Sequence, residues 1–337
     1  MESRNWHTHY PAHVPISPEY PEMPLHELLS RTARCHPGNP ALIFGGQVIT
    51  YYQLEAMVKR LAAGLQRLGL RQGERVAVYM PNCPQLVIAY YATWMAGGVV
   101  VPVNPLYVAR EFERQINDAG ARLAICLDQL YARIQEVEAQ TSLEQVIVTG
   151  LQEFAGGPTR NEPPSVGTST HIRWLQEVLQ AAPEQPATVD VAPDHIAALL
   201  YTGGTTGVPK GAQLSHRNLV VNAIQMATWL QGALVEGQEI TLSALPLTHS
   251  YGLTVSLNQS IYRGFAQVLI PNARQLDDLL MAIHTHRPSL FPGVPSLYAA
   301  INHHPGVRDG RVQLTSVKVC ISGAASLPPE VQNEFQR

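Results

Sequence analysis

The sequence has little cysteine, and its cysteines are widely spaced. Four occur in 337 residues, at Cys35, Cys83, Cys126 and Cys320, and no C-x-x-C pair is present. This spacing excludes an ordinary zinc-binding pair and a disulfide framework, and it is typical of a reducing compartment. We therefore expect a cytoplasmic protein.

Charge is also scarce and nearly balanced. Charged residues make up 15% of the chain, and its formal net charge is −3. Such a composition gives no electrostatic reason to expect nucleic acid or an anionic membrane surface as a partner. Peripheral association with a membrane and a homodimer both stay open.

Neither a signal peptide nor a transmembrane helix is indicated. Residues 1–24 are rich in proline and histidine and lack an apolar core, so we interpret them as a leader that is loose or drapes over the surface. The uncharged run Leu86–Val103 is near the lower length limit for a membrane span. Gly97, Gly98 and Pro102 interrupt it, so it predicts a buried helix followed by a buried strand.

Strand-like and helix-like segments alternate in the first half of the chain. Val99–Val103, Leu123–Leu127 and Gln145–Thr149 are predicted as strands, with helices at about Glu111–Asp118 and Tyr131–Ala139. This alternation predicts an α/β fold with two lobes, whose sheets are mostly parallel and covered by helices.

Two further helices are predicted from local signals. Thr50 and Gln53 form a T-x-x-Q capping box ahead of an apolar stripe, which Gly69 ends. Ile172–Leu179 has the periodicity of a short amphipathic helix, and segments rich in proline and glycine flank it.

No dinucleotide-binding or metal-binding motif accompanies this pattern. No G-x-G-x-x-G follows the first strand, which disfavours a dinucleotide site. His284 and His286, like the pair His303 and His304, lack a carboxylate or cysteine at ligand spacing. We therefore predict no metal-binding residues in this chain.

The most distinctive stretch is YTGGTTGVPKG at residues 201–211. Glycines let backbone N–H groups approach an anion, while threonine hydroxyls and a lysine can donate hydrogen bonds to it. The residues concerned are Thr202, Gly203, Gly204, Thr205, Thr206, Gly207, Lys210 and Gly211. Strand-like segments on both sides predict a loop from strand to strand that holds the phosphates of a nucleotide triphosphate.

Two other interpretations of this stretch are less consistent with it. A P-loop is excluded because Pro209 precedes Lys210 and Gly211 follows it, so the second glycine and the magnesium-binding hydroxyl of that motif are missing. A plain glycine-rich hairpin turn is the remaining alternative. It does not explain so many anion-binding groups within so short a stretch.

Thr202–Gly211 resembles the phosphate-binding signature of the adenylate-forming superfamily, which includes acyl-CoA ligases, luciferases and the adenylation domains of peptide synthetases. The signature [ST]-[SG]-G-[ST]-[ST]-G-x-P-K-G is matched throughout, and the resemblance extends over nearly the whole chain from about residue 25. It implies that this stretch binds ATP and that Lys210 acts in catalysis, stabilising charge that moves onto pyrophosphate.

A second similarity lies at Pro246, His249 and Gly252, which match the P-x-x-H-x-x-G pattern of acyl-CoA ligases. The residues alone allow either a structural histidine with a backbone partner or a pocket histidine, and Gly252 permits a close turn. The resemblance implies that His249 is catalytic and lies beside the carboxylate, with Tyr251 and Gly252 also binding substrate. The F-D pair of amino-acid-activating members is absent, which favours an acid without an amine.

A third similarity is the SGAASL segment after a predicted strand, Val317–Ile321. The residues alone indicate only a turn from strand to helix. In the family, the matching G-x-A-x-L turn lies against adenine, so the resemblance implies that Gly323, Ala324 and Ala325 contact this ring.

The resemblance also implies a domain organisation. After the leader, residues 25–337 would form a partial N-terminal AMP-binding domain with two interleaved lobes, roughly 73–244 and 25–72 plus 245–337. The family's hinge, Mg²⁺ ligand and C-terminal domain with its catalytic lysine have no match in this sequence. We therefore expect an N-terminal fragment that is itself inactive.

The expected parent function is that of an ATP-dependent carboxylic acid:CoA ligase acting through an acyl-adenylate. The stretches LFPGVPSLYAAI and HPGV are similar to fatty-acid:CoA ligases, which favours a medium- or long-chain fatty acid. ATP, Mg²⁺ and coenzyme A are the implied cofactors and co-substrates. An aromatic-acid or luciferase-like ligase, and a non-catalytic binding module that keeps the fold, remain as alternatives.

Overall fold

The computed structural model describes residues 4–156, 171–202 and 209–337. These residues form two sheets of mostly parallel strands with helices packed on them, which confirms the predicted α/β class. The strands are β1 Pro40–Phe44, β2 Gln47–Thr50, β3 Arg75–Tyr79, β4 Val99–Val103, β5 Leu123–Leu127, β6 Gln145–Thr149, β7 Ile172–Trp174, β8 Ile196–Thr202, β9 Lys210–Ser215, β10 Ile240–Ser243, β11 Ala266–Leu269, β12 Leu290–Gly293 and β13 Val319–Ser322.

The helices alternate with these strands along most of the chain. They are α1 Glu27–Cys35, α2 Tyr51–Arg67, α3 Pro84–Met95, α4 Ala109–Ala119, α5 Asp128–Gln135, α6 Leu175–Ala181, α7 His216–Leu230, α8 Gln259–Arg263, α9 Leu276–His286, α10 Pro295–Asn302, α11 Pro305–Arg308 and α12 Pro329–Phe335. Short 3-10 helices occur at Asn5–His9, Glu138–Gln140 and Leu151–Phe154, and a π-helical segment spans Gly252–Asn258.

The larger sheet has seven strands in the order β7-β6-β5-β3-β4-β8-β9. Its neighbouring strands are parallel except β8 and β9, which form an antiparallel hairpin. β4 and β5 are buried along their whole length, as expected for strands covered on both faces. The uncharged run Leu86–Val103 contributes to α3 and forms β4, as predicted, and no helix among the described residues is long and apolar enough to cross a membrane.

The smaller sheet has six strands in the order β13-β12-β10-β11-β1-β2. Its strands are parallel except for the β1–β2 hairpin. Because parallel strands all point the same way, the carboxyl ends of β10, β12 and β13 lie at one edge of the sheet. The chain leaves this edge through the segments that contain His249 and Gly323.

Helix α2 shows how local sequence signals determine the boundaries of an element. Thr50 Oγ1 accepts a hydrogen bond from the Gln53 backbone N–H at 3.2 Å, and the Gln53 side chain accepts one from the Thr50 N–H at 2.9 Å. This confirms the predicted capping box. The apolar stripe of α2 is fully buried, and α2 packs against α3.

Two predicted helices differ from those observed. The predicted helix Ile172–Leu179 was wrong in its first turn, since Ile172–Trp174 forms β7 and α6 begins only at Leu175. Pairing of β7 with the edge strand β6 outweighs the helical periodicity there. The helix predicted at Tyr131–Ala139 begins earlier, at Asp128, because this acidic residue directly after β5 favours a helix N-terminus.

The N-terminal segment, residues 4–26, lies along α7. The Tyr10 ring meets the Trp229 ring edge-on, with centroids 5.3 Å apart. At its other end, the Leu25 N–H donates to Nδ1 of the buried His216 at 3.1 Å. The segment therefore contacts both ends of this helix.

Candidate functional site

The predicted phosphate loop connects β8 to β9, as expected from the sequence. β8 runs parallel to β4, so Thr202 lies at the carboxyl end of a strand, and it is paired with Lys210 at the start of β9. Both residues are exposed, and no hydrogen bond or ion pair joins either side chain to another described residue. Gly203, Gly204, Thr205, Thr206 and Gly207 lie outside the described residues, as does the loop between the two strands.

His249 stands at the start of the helix that follows β10. Its ring Nδ1 accepts a hydrogen bond from the Tyr251 backbone N–H at 3.2 Å. The backbone N–H of His249 donates to the Pro246 carbonyl at 3.1 Å. Since Nδ1 is an acceptor, the neutral ring carries its proton on Nε2. His249 is exposed and therefore presents an Nε2–H donor at the surface of the site.

Gly252 is buried in a helix, so the expected close turn at this position was wrong. It begins the π-helical segment Gly252–Asn258, and a Cβ at this position would lie 2.3 Å from the Pro246 carbonyl oxygen. Glycine is needed here because the helix starts against the preceding backbone. A π-helical segment is uncommon and is found frequently at functional sites.

Tyr251 joins this helix to the turn after β13. Its hydroxyl donates to the Ile321 carbonyl at 2.7 Å and lies 3.3 Å from the Gly293 carbonyl. Its ring lies against Gly323, where a Cβ would come within 2.8 Å of it. Burial raises the pKa of Tyr251 to about 12, so the hydroxyl remains a donor at neutral pH.

The turn after β13 exposes small residues. Ala324 and Ala325 are exposed, and Ala324 has a φ of +67°, a left-handed conformation that an L-residue rarely adopts. Just before the turn, Ser322 Oγ is buried and has no hydrogen-bond partner among the described residues. The turn thus combines exposed small side chains with a buried polar atom that has no partner in the part of the chain that is described.

Sequence reasoning did not identify Tyr298, which supports the same turn. Its hydroxyl donates to the Phe291 carbonyl at 2.7 Å and lies 3.0 Å from the Ile321 carbonyl. Its ring covers Gly293, where a Cβ would lie 2.8 Å away. The position of this tyrosine just after FPGVP is the only sequence signal, and it does not reveal the contact with β13.

A cavity of about 560 Å³ lies between α7 and the π-helical segment. Its lining includes aliphatic and polar side chains, among them Leu214, Leu219, Val221, Asn222, Tyr251 and Val255. Leu214 follows Lys210 by four residues on β9, a separation of about 13 Å along a strand. The cavity therefore borders Tyr251 on one side and the strand that carries Lys210 on the other.

Metal-binding residues were not predicted, and the histidine pairs have other surroundings. His304 Nε2 lies 3.0 Å from an Asp277 carboxylate oxygen, and His303 Nδ1 lies 2.7 Å from the Ala299 carbonyl. Within residues 4–156, 171–202 and 209–337, no group of three or more histidine, cysteine or acidic side chains is arranged to hold a metal ion.

The fold and the recognised motifs define an adenylate-forming enzyme domain, and the chain belongs to the AMP-binding enzyme family. The sequence model of that family, described as AMP-binding enzyme, matches residues 29–337. This confirms the resemblance on which the site residues were assigned.

The chain is similar to acyl-CoA ligases in both sequence and structure. A long-chain-fatty-acid–CoA ligase from Bacillus subtilis is 36% identical over 349 residues, which cover 100% of this chain and 62% of that protein. The crystal structure of a long-chain-fatty-acid–CoA ligase from Archaeoglobus fulgidus has a TM-score of 0.82 at 26% identity, covering 97% of this chain and 62% of that chain. ATP-bound MatB from Rhodopseudomonas palustris has a TM-score of 0.74 at 27% identity, over 93% of this chain and 57% of that chain. The chain spans 62% and 55% of the length of the first two curated relatives.

Proposed function

We propose that this chain is the ATP- and acid-binding part of a fatty-acid:CoA ligase that acts through an acyl-adenylate. The observation that carries the proposal is the position of the motif residues. Thr202 and Lys210 stand at the carboxyl end of β8, while His249, Tyr251 and Gly323 lie at the carboxyl edge of the other sheet. Ligands of open α/β sheets bind outside the carboxyl ends of the strands.

The described residues fit ATP. Lys210 offers an ammonium group and Thr202 a hydroxyl, and both side chains are exposed without a partner among the described residues. These groups would hold the β- and γ-phosphates together with the loop between them. On the other sheet, Ala324 and Ala325 offer a flat surface to adenine, and Ser322 Oγ offers a buried polar atom.

The acid would enter through the cavity beside Tyr251. A volume of about 560 Å³ lies within the range of small-molecule sites, and the aliphatic part of its lining is appropriate for an acyl chain. His249 presents its Nε2–H next to Tyr251 and would hold the carboxylate by a charge-assisted hydrogen bond. Similarity to long-chain-fatty-acid–CoA ligases supports a fatty acid as the substrate class.

The proposed reaction has two steps. A carboxylate oxygen attacks the α-phosphorus of ATP, the bond to the β-phosphate oxygen breaks, and pyrophosphate leaves with additional negative charge. Lys210 stabilises that developing charge, and bound Mg²⁺ would neutralise part of it. The thiol of coenzyme A loses its proton, and the thiolate attacks the carbonyl carbon of the acyl-adenylate. The bond from that carbon to the AMP phosphate oxygen breaks, which gives acyl-CoA and AMP.

The 337-residue chain itself is proposed to bind ligands without turning them over. Residues 1–24 would be a leader and residues 25–337 a partial AMP-binding domain, so the Mg²⁺ ligand, the coenzyme A site and the second catalytic lysine would come from further sequence. A cytoplasmic location is part of the same proposal, which leaves peripheral membrane contact and a homodimer open. Steady ATP–pyrophosphate exchange by this chain with a fatty acid would contradict its inactivity.

The binding of a fluorescent ATP analogue and of a fluorescent 16-carbon fatty acid tests the site. Lys210→Ala should weaken binding of the ATP analogue by roughly tenfold or more, since a charge-assisted hydrogen bond is lost, and should leave fatty-acid binding unchanged. Lys59→Ala is the control, because Lys59 lies on α2 and pairs with Glu55 at 3.1 Å. Equal ATP binding by the Lys210→Ala variant and the unmodified chain would refute the phosphate role.

A further inference from the structure

The Tyr201 side chain ties the hairpin of β8 and β9, which we call the phosphate hairpin, to helix α4. The Tyr201 hydroxyl, at the end of β8, donates to Asp118 Oδ2 at 2.5 Å, across 83 residues of sequence. Asp118 is the penultimate residue of α4 and is exposed. No motif of the sequence marks this aspartate.

Asp118 is in an unfavourable position for its own helix. A carboxylate in the last turn meets the negative end of the helix dipole, so it destabilises the helix slightly. The end of α4 is satisfied by other groups, since Gly120 adopts a left-handed conformation and Arg75 Nε donates to the Ala119 carbonyl at 2.8 Å. The Asp118 side chain instead accepts the hydrogen bond from Tyr201.

The Tyr201 ring lies directly on the hairpin. Tyr201 is paired across the strands with Gly211, where a Cβ would lie 3.0 Å from the ring carbon Cζ. The next pair outward is Thr202 with Lys210. Burial, and then the Asp118 carboxylate, raise the pKa of Tyr201, so the hydroxyl remains a hydrogen-bond donor at neutral pH.

Among the described residues, β8 pairs with β4 and packs into the core, whereas the outer strand of the hairpin has a strand partner on one side only. β9 is the outermost strand of its sheet and pairs with β8 alone. Edge hairpins of this kind open more easily than central strands, because few contacts hold them. A loop that is held in its binding conformation loses less conformational entropy when its ligand binds.

We propose that Tyr201 and Asp118 are a positioning pair for the phosphate hairpin. Their hydrogen bond holds the Tyr201 ring over Gly211. The ring in turn holds the backbone of the next strand pair, Thr202 and Lys210, in position. In this proposal neither Tyr201 nor Asp118 touches the phosphates. Both affect ATP binding by positioning the hairpin residues that do. This inference depends on the proposed ATP-binding function of the same loop.

Four variants of the 337-residue chain test the pair: Tyr201→Phe, Asp118→Ala, the double variant and Asp118→Asn. We expect roughly fivefold weaker binding of the fluorescent ATP analogue by the first two, and no further loss in the double variant. Asp118→Asn should restore most of the affinity, because its amide oxygen can accept from the tyrosine hydroxyl. Binding of the fluorescent fatty acid should not change in any variant.

Tyr79→Phe is the matched control. Tyr79 lies on β3 of the same sheet, which β4 separates from β8, and its hydroxyl donates to the Tyr107 carbonyl at 2.5 Å. This variant should lose thermal stability but keep its ATP affinity. If Tyr201→Phe and Tyr79→Phe weaken ATP binding equally, or if Tyr201→Phe has no effect, the positioning role is wrong.

The outcome also separates this inference from the function on which it depends. If the unmodified chain binds the ATP analogue and Lys210→Ala weakens that binding while Tyr201→Phe does not, only the positioning pair is refuted. If the unmodified chain does not bind the analogue, both the ATP-binding function and the pair are refuted.

Discussion

The hairpin β8–β9 and the turn after β13 carry the two halves of the site, and they are supported by different forces. The hairpin contains the edge strand β9, and a polar contact between Tyr201 and Asp118 joins it to α4. The turn also has a hydroxyl contact from Tyr251 to the Ile321 carbonyl, but it differs from the hairpin in its close packing, with Gly323 against the Tyr251 ring. We therefore expect the turn to be sensitive to added volume, and the region around the hairpin to be sensitive to lost hydrogen bonds and to pH.

The largest effect on stability is expected from adding a methyl group at Gly252, the residue after Tyr251. Gly252→Ala would place Cβ 2.3 Å from the Pro246 carbonyl oxygen, and backbone cannot move aside as a flexible side chain can. We expect a loss of about 3 kcal/mol in the free energy of unfolding, measured by urea denaturation. Gly38→Ala is the control, since nothing lies within 4 Å of its Cβ, and an equal loss there would contradict the steric explanation.

A smaller effect is expected from pH, through His216 at the start of α7 just after the hairpin. Burial, and then the neighbouring His26 and His195, lower the pKa of His216 from 6.5 to about 3. The unfolded chain therefore takes up a proton below pH 6.5 that the folded protein does not. Stability from this group is present above pH 6.5 and is lost as the pH falls towards 3, by about 2 kcal/mol between pH 7.5 and 5.

This pH effect is tested by urea denaturation of the unmodified chain and of His216→Gln, each at pH 7.5 and pH 5. The variant should lose about 2 kcal/mol less than the unmodified chain between pH 7.5 and 5. His303→Gln replaces an exposed histidine and should follow the unmodified chain. If the two variants show the same pH dependence, His216 is not the source of the effect.

Removing the Tyr251 hydroxyl, which contacts the strand before the turn, should have a still smaller effect on the free energy of unfolding. Tyr251→Phe loses the bond to the Ile321 carbonyl, but the Tyr298 hydroxyl, which donates to the Phe291 carbonyl, lies 3.0 Å from the same oxygen and can turn its hydrogen to it. We expect a loss of about 1 kcal/mol in unfolding free energy, and a larger loss than the sum of the single variants when Tyr298→Phe is added. Tyr52→Phe, at a side chain that is 67% exposed, should be neutral.

The smallest expected effect is an increase in the free energy of unfolding, from a substitution in the turn after β13. Ala324 has a φ of +67°, which glycine adopts without strain. Ala324→Gly should raise the unfolding free energy by about 0.5 kcal/mol, the difference between relieved strain and the greater entropy of unfolded glycine. Ala325→Gly, at a position without positive φ, should lower it instead.

The sequence predicted the elements whose signals are local. Val99–Val103 and Leu123–Leu127 appear with the predicted bounds because buried parallel strands are continuous apolar runs. The capping box at Thr50 was confirmed for the same reason, since its hydrogen bonds join residues three apart. The phosphate motif is also local, so its placement between two strands could be predicted.

The contacts that hold the site could not be predicted, because they depend on tertiary register. Nothing near Tyr201 in the sequence indicates Asp118, and nothing near Tyr298 indicates β13. The role of Gly252 was misjudged because a π-helical segment has no established sequence signal, so the glycine was taken for a turn. Long-range packing, rather than motif chemistry, sets these features.

The π-helical segment Gly252–Asn258 has a consequence for how the cavity can vary. Its wider hydrogen-bonded rings contain one more residue than those of an α-helix. Removing a single residue there would return the helix to ordinary bonding and rotate the side chains on one side of the deletion by about 100° relative to the other. Because Thr254 and Val255 line the cavity, one deleted codon would alter the shape of its wall without lengthening or shortening any loop.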